Sequence, residues 1–322
     1  MKKNLLALLV CTKCKHSLKL TSFKTEKDEV MEGKLTCKEC KREYPIINSI
    51  PRMLPDDLIY GLVWQKNIKF LKKYGKKFKK SKKDFAKSFE LTAKNKTSNS
   101  FGFEWKEFSE FHGIYKKQFL DWLHPFKPDM FKGKLVLDAG CGMGRHTLVA
   151  SEYAKEIVGI DLSEAIDAAY ENLKGKKNVH LVQADIYNLP FRQVFDLAYS
   201  IGVIHHLPNP EKGFRHILRK VKPGGKIFVW IYGHEGNFVI VNLIEPFRKL
   251  ITSRLPHQIL YYLCYPITAL LEFSCAFYRL ANALPLIDSL AKYLPSNTYL
   301  LYISKFSFRH KLAIVFDFLS AP

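Results

Sequence analysis

Acidic side chains are in short supply in this chain: 30 Asp and Glu stand against 51 Lys and Arg over 322 residues. Arginine is scarcer still, at 10 of those 51. Arg is the usual residue for bidentate reading of bases and phosphates, so part of the +21 excess is a compositional bias toward Lys. Apolar residues are not lacking (47%), which excludes disorder throughout. There is no glycine repeat of the collagen kind, and seven Cys over this length do not make a disulfide miniprotein. A secretory core is missing too. The opening MKKNLLALLV has Lys2 and Lys3 before an apolar run, but residues 5–10 fall short of the roughly seven such a core needs. No small residue stands just before Cys11, so lipoprotein cleavage is not expected. The segment reads as a strand or short helix leading into the first cysteine pair, and the chain reads as cytoplasmic, where thiolates stay reduced.

The charge that is present is unevenly placed. Residues 1–100 hold 25 basic and 10 acidic side chains, leaving only +6 for the other 222 residues. The length suits two main units. Four of the cysteines, Cys11, Cys14, Cys37 and Cys40, form CxxC…CxxC with 22 residues between the pairs. Two residues between Cys put both thiolates on one tight knuckle, and two facing knuckles give the tetrahedral sulfur set that Zn2+ prefers. Redox use of the pairs, or a ribbon that has lost its metal, are the competing readings. Residues 1–55, through LLALLVCTKC, LTCKECKREYPI and SIPRMLP, resemble the small zinc-ribbon proteins that partner and activate tRNA and protein methyltransferases. Ser49 stands where that family commonly has Gly before Ile-Pro.

Residues 56–131 read as a basic and aromatic connector. Trp64, Ile68, Leu71, Phe78, Phe85 and Phe89 fall near helical spacing, with Lys filling the other face, so a helix is expected over 64–89. Such a face binds RNA or anionic membrane, or is simply a solvated linker face. Residues 95–100 are polar and read as a hinge. Phe101-Gly102-Phe103-Glu104-Trp105 is expected to precede a further helix and is placed to cover a cofactor.

From Lys134 the pattern alternates strand and helix. A short apolar strand ends in Asp138 and runs into Gly140-Cys141-Gly142-Met143-Gly144, whose glycines permit a sharp turn and close backbone approach to a ligand. A second strand ends in Asp161, 23 residues after Asp138, where a carboxylate can accept both hydroxyl hydrogens of a ribose. A third ends in Asp185, which can accept from an adenine amino group. A fourth, Phe195–Ile201, leads into a loop carrying His205 and His206. A fifth follows the Pro223-Gly224-Gly225 turn. Five strands with intervening helices give a doubly wound α/β sheet with its site at the strand C-terminal ends.

VLDAGCGMGRHT, VGIDLS, QADIYNLPF, FDLAYSIGVIHHLPNP and LRKVKPGGKIFVWIYG resemble class I S-adenosylmethionine-dependent methyltransferases of the type-11 group, over roughly 132–233. The resemblance implies S-adenosylmethionine as cofactor. It implies that Asp138, Gly140, Gly142 and Gly144, with Cys141 beside them, cradle the methionine part. Asp161 with Leu162 would hold the ribose, Asp185 with Ile186 the adenine, and Ser200, Ile201 and His205 would lie nearest the transferred methyl. Methyl transfer is an in-line displacement that rests mainly on alignment, with a base needed only if the acceptor carries a proton; His205 is the base candidate. The fourth-strand loop has neither an Asn/Asp-Pro-Pro-aromatic run nor a Pro-Cys nucleophile, which disfavours exocyclic base amines and cytosine C5 as acceptors.

Residues 234–322 form a helical C-terminal segment. Within it, 259–278 is nearly all apolar with Glu272 as its only charge and Pro266 inside; buried lid helices, a membrane-peripheral element and a span compete for it. The resembled sheet has seven strands. Residues 298–303 and 312–316 fit strand or helix, so the chain is expected to be truncated. The architecture expected is thus a Rossmann-like methyltransferase sheet with a small N-terminal zinc ribbon and a helical C-terminal segment. The function expected first is methyl transfer to a small-molecule or lipophilic acceptor; an RNA acceptor and a non-catalytic scaffold are the alternatives.

Overall fold

The computed structural model describes residues 1–79, 93–111, 113–231, 233, 242, 245–284 and 297–320. They fall into two compact units, residues 1–232 and 233–322.

The first unit opens on a short helical turn, Lys3–Ala7, whose Leu5 is buried. Leu9 and Val10 then bridge to Phe191 and Ser17, so the apolar start is consumed by the core. Strands β1 (Leu18–Glu26) and β2 (Glu29–Cys37) make an antiparallel hairpin. Lys27 and Asp28 between them both take positive φ, 44° and 65°, the twist a two-residue hairpin turn requires. Strands β3 (Glu43–Ile47) and β4 (Ile50–Pro51) complete a four-stranded sheet. Asn48 and Ser49 turn between them with φ of 50° and 64°, so the Ser that replaces the resembled family's Gly occupies the left-handed region.

The connector departs from the expected single helix. Helix α1 (Asp56–Ile59) and a wide turn, Tyr60–Trp64, precede α2 (Ile68–Tyr74), which gives way to a tight turn at Gly75–Lys77. Gly75 itself keeps helical angles; the chain becomes extended at Phe78 (φ −103°, ψ 143°), which packs edge-on against Trp64 and the ribbon's Phe23. Residues 80–89 of the expected helix lie outside the described residues. Lys72, Lys73, Lys76 and Lys77 face solvent. The polar 95–100 stretch is not a hinge: it lies within α3 (Ala93–Glu107), which also takes in the Phe101–Trp105 motif expected to precede a helix. Helix α4 (Ile114–Leu123) follows, with Phe119 buried against Phe131 and Tyr199.

The second sheet is parallel and doubly wound, in the order β7-β6-β5-β8-β9. Its strands are β5 (Leu135–Ala139), β6 (Glu156–Asp161), β7 (Val179–Gln183), β8 (Phe195–Ile201) and β9 (Val221–Trp230). Central strands buried on both faces read as continuous apolar runs, as Val136-Leu137 and Ile157-Val158 do. Helices α5 (Arg145–Ser151), α6 (Ala165–Asn172) and α7 (Pro210–Leu218) make the crossovers. Asn209 caps α7 by accepting from the Lys212 amide at 2.8 Å, with Pro210 at the first turn.

The ribbon is not a separate bead. Arg52, just past β4, bridges in parallel to Gln183 of β7, and the Met53 amide donates to the Gln183 carbonyl at 2.8 Å. Leu5, Leu35, Tyr44 and Ile46 share one buried cluster with Val158, Val182 and Phe191 of the parallel-sheet region. The ribbon therefore covers the β7 edge, which an open parallel sheet would otherwise expose.

In the second unit, α8 (Glu245–Leu250) is followed by the long α9 (His257–Ala283), then α10 (Asn297–Ile303) and α11 (Phe308–Ser320). Both stretches that fitted either strand or helix are helical.

Candidate functional site

Two of the strand-end acids, Asp138 and Asp161, hold the elements on either side of the glycine loop between β5 and α5, while Asp185 closes the edge strand β7 beyond Asp161. Gly140, Gly142 and Gly144 have φ of +90°, +52° and +88°. A Cβ on Gly140 would lie 2.4 Å from Val203, and one on Gly144 2.7 Å from Leu173, so these positions exclude any side chain. The Gly140 and Cys141 amides are spent on the Ile160 carbonyl, at 2.9 and 2.8 Å. What the loop offers a ligand is therefore close approach rather than a row of amides.

Asp138 is buried, accepting from Thr147 Oγ1 at 2.6 Å and Tyr199 OH at 2.8 Å. Burial pushes its carboxyl up to about 7 against those two bonds. Asp161 is half-buried and fastens the loop: Oδ2 accepts from the Gly142 amide at 2.9 Å, and Oδ1 from the Ser163 amide and hydroxyl at 2.8 and 2.7 Å. Its carboxyl is raised by burial, opposed by those bonds. Asp185 accepts from the Tyr187 amide and from Asn188 Nδ2, at 3.0 and 3.2 Å.

The other predicted residues divide. Ile186, next to Asp185, is buried, as is Ile201 at the end of β8, and Leu162 is half-buried against the connector cluster. Ser200 turns inward, donating to the Ala139 carbonyl at 2.7 Å. Cys141 packs its thiol into the core against Gly159, so only its backbone faces the loop. His205 is half-buried, 4.1 Å from the His206 ring, and burial lowers its pKa.

Helix α3 lies over this edge. Gly102 abuts Ser163 and Glu164, and Phe101 meets the His206 ring at 4.9 Å. Trp105 faces Gly142, with its Nε1 3.4 Å from where a Cβ would stand. The Arg145 guanidinium stacks 4.9 Å over the Trp105 ring and 5.3 Å over Tyr115. Tyr199 and Thr147, as partners of Asp138, were not found from the sequence. Tyr199 reaches Asp138 only through the β5–β8 register. Thr147 was findable, since it lies nine residues on, in the first turn of α5. The left-handed glycine loop beneath an aromatic cover, flanked by strand-end carboxylates, suits the hydroxyl and amino groups of S-adenosylmethionine.

The second centre is the ribbon. Cys11, Cys14, Cys37 and Cys40 put their sulfurs within 4.8 Å of one another, with Cys11–Cys40 at 3.5 Å and Cys14–Cys37 at 3.4 Å. A tetrahedral zinc with 2.3 Å bonds needs sulfurs about 3.8 Å apart, so the set fits Zn2+. Lys15 and Lys41, each just after the second Cys of its pair, close the knuckles with φ of 63° and 58°. A backbone hydrogen bond at His16 holds Cys14 down at about 5, whereas burial pushes Cys37 up to about 12. Tyr44 OH lies 3.2 Å from Cys11 Sγ and accepts from the Thr12 amide at 3.0 Å, steadying the first knuckle.

Comparison with known proteins agrees with this geometry. The family described as "Methyltransferase domain" matches residues 137–229, and "Trm112p-like protein" matches residues 2–49. The tRNA U34 carboxymethyltransferase of Pseudoalteromonas translucida (strain TAC 125) is 33% identical over 110 residues, 33% of this chain and 34% of its own. The probable tRNA methyltransferase 9B of Mus musculus is 32% identical over 137 residues, covering 40% of this chain and 29% of its own. Phosphoethanolamine N-methyltransferase 2 of Caenorhabditis elegans is 33% identical over 114 residues, covering 34% and 25%. The chain thus spans about a third or less of the length of these curated relatives. Residues 137–229 are a class I S-adenosylmethionine methyltransferase domain, fused in this chain to an N-terminal Trm112p-like ribbon whose four-cysteine cluster has the geometry for zinc.

Proposed function

We propose that the chain is an S-adenosylmethionine-dependent methyltransferase whose acceptor is an RNA. The observation that carries the enzymatic part is the Gly140–Gly144 loop, fastened by Asp161 and covered by Trp105. S-adenosylmethionine, when bound, supplies an electrophilic methyl group on a sulfonium. Asp161 and Asp185 orient hydroxyl and amino groups at the strand ends, and α3 excludes water from the loop. His205, held toward its neutral form by burial, is able to take a proton from an acceptor that carries one. The intact glycines and acids speak against a non-catalytic scaffold. Zinc-ready thiols support a cytoplasmic location.

The RNA acceptor, rather than the small or lipophilic one expected first, is supported by two relatives named for tRNA modification. A basic seam adds to it. Lys15 of the ribbon reaches the Leu189 carbonyl at 3.4 Å, and burial together with the charges of Lys15 and Arg219 lowers the pKa of Lys220. Lys212 stands 5.8 Å over the Tyr187 ring, two residues past Asp185. The seam thus runs from the ribbon to the mouth of the site. The phosphoethanolamine relative favours the small-acceptor reading instead. Labelled methyl transfer to cell extract, split into RNA, protein, lipid and small-molecule fractions, separates the two. Label is expected in RNA, and Lys→Gln changes at Lys15, Lys212 and Lys220 should reduce the salt slope of RNA binding by about 0.7 per lost phosphate contact. Label confined to the lipid or small-molecule fraction would sink the RNA acceptor.

A further inference from the structure

Helix α9 is long and apolar, yet only 22% of its most apolar 18-residue window is buried. A core helix of a soluble domain is buried on most sides; this one is not. Its inward face is complete. Leu260, Cys264, Thr268 and Cys275 are buried at helical spacing and packed toward α10 and α11. Polar groups along it find partners: Thr268 Oγ1 donates to the Cys264 carbonyl at 2.7 Å, Lys311 to Glu272 at 2.5 Å, and Asn282 to Asn297 at 2.9 Å.

The outward face carries Tyr262, Leu263, Leu270, Phe273, Phe277 and Leu280, all exposed, with Tyr262 at 71%, Leu270 at 67% and Phe273 at 72%. Tyr262 and Leu263 are adjacent, and steps of seven, three, four and three residues from Leu263 carry the rest along the same stripe. The stripe is about 27 Å long at 1.5 Å per residue and holds no charge.

We propose that this stripe seats the protein in the plane of an anionic lipid bilayer, with α9 lying in the interface. Length alone would allow a span. A span is disfavoured because Glu272, 41% exposed and paired with the buried Lys311, would then sit at mid-depth. The one-sided arrangement suits an interface instead: an apolar stripe on one side, packed helices on the other, and Glu272 and Arg279 along a border. Charge complementarity selects the lipid. Among the described residues of this unit, Arg254, Arg279 and Lys305 are exposed while Glu245, Glu272 and Asp317 are half-buried, which favours anionic headgroups. The inference does not depend on the identity of the methyl acceptor.

The test is flotation of the full chain with vesicles of phosphatidylcholine alone and of phosphatidylcholine mixed with phosphatidylglycerol. Wild type is expected to float with vesicles, more strongly with the anionic mixture. The Leu270→Glu/Phe273→Glu variant should lose at least about tenfold in partitioning. Both substitutions are at exposed positions, and unchanged circular dichroism would confirm that the fold is kept. Failure of wild type to float, or flotation equal in the variant, would overturn the proposal. So would a wild-type dimer that the variant converts to monomer without vesicle binding, since a second copy would then be the occupant. A bound fraction that resists alkaline carbonate washing would overturn the in-plane placement.

Discussion

Asp138 is a carboxylate at the end of a central strand, sealed between Thr147 and Tyr199. Burial raises its pKa from the ordinary 3.8 to about 7. The folded chain therefore holds this proton more tightly than the unfolded chain. The stability it contributes is full below the unfolded value and is lost as pH rises through the folded one. In ligand-free protein the melting temperature of wild type should fall between about pH 4 and about pH 7 more steeply than that of Asp138→Asn, which cannot ionise but still accepts both hydroxyls. Thermal melts of both across that range check it; parallel curves would place the titration elsewhere. At this scale the residue types were legible and their directions were not. Asp138, Asp161 and the glycines announce themselves by spacing. That Ser200 turns to a carbonyl and Cys141 into the core depends on strand phase and neighbours that no local window contains.

Between elements, the decisive side chain is Arg52. It is 1% exposed, and it donates to Asp167 Oδ2 at 3.0 Å, Asp167 Oδ1 at 2.5 Å and Gln183 Oε1 at 3.1 Å. Gln183 Nε2 in turn donates to the Leu162 carbonyl at 2.9 Å, so the ribbon is tied to the turn after Asp161. The pair is asymmetric, since the Asp167 side chain is 41% exposed. Removing Arg52 leaves a carboxylate that water reaches; removing Asp167 strands a buried guanidinium. Asp167→Ala should therefore cost more, about 3 kcal/mol, than Arg52→Met, about 1–2 kcal/mol, in chemical denaturation. The reverse order would mean that Gln183 and the Ile47 carbonyl suffice to hold Arg52. The connector shows the limit of periodicity at this scale. Aromatic spacing over 64–89 suggests one helix, but as far as Phe78 the rings track the ribbon's surface instead, and the backbone turns extended at Phe78 to do so.

For the molecule as a whole, the ribbon and the parallel sheet share one buried cluster. Small metal-bound modules fold only with their ion, and here that folding free energy is spent partly on covering the β7 edge. Stripping zinc with a strong chelator should lower the melting temperature of residues 1–232 as one cooperative transition, not release a melted ribbon from an intact sheet. Calorimetry with and without chelator distinguishes these; two transitions with the upper one unmoved would refute the shared core as a cooperative unit.

The sequence by itself determined the chemistry. CxxC…CxxC, the left-handed glycines and the acids closing successive strands are local requirements of backbone geometry and ligand chemistry, so short windows carry them. The long apolar stretch at 259–278 was legible as such, but not which of its faces is covered. Tertiary structure decided what depends on distant partners. It set the Tyr199 register against Asp138, Trp105 of α3 against Gly142, the Arg52 tie and the bare stripe of α9. Each of these arises because burial and hydrogen bonding are satisfied between segments far apart in the chain, and only the packed fold brings those segments together.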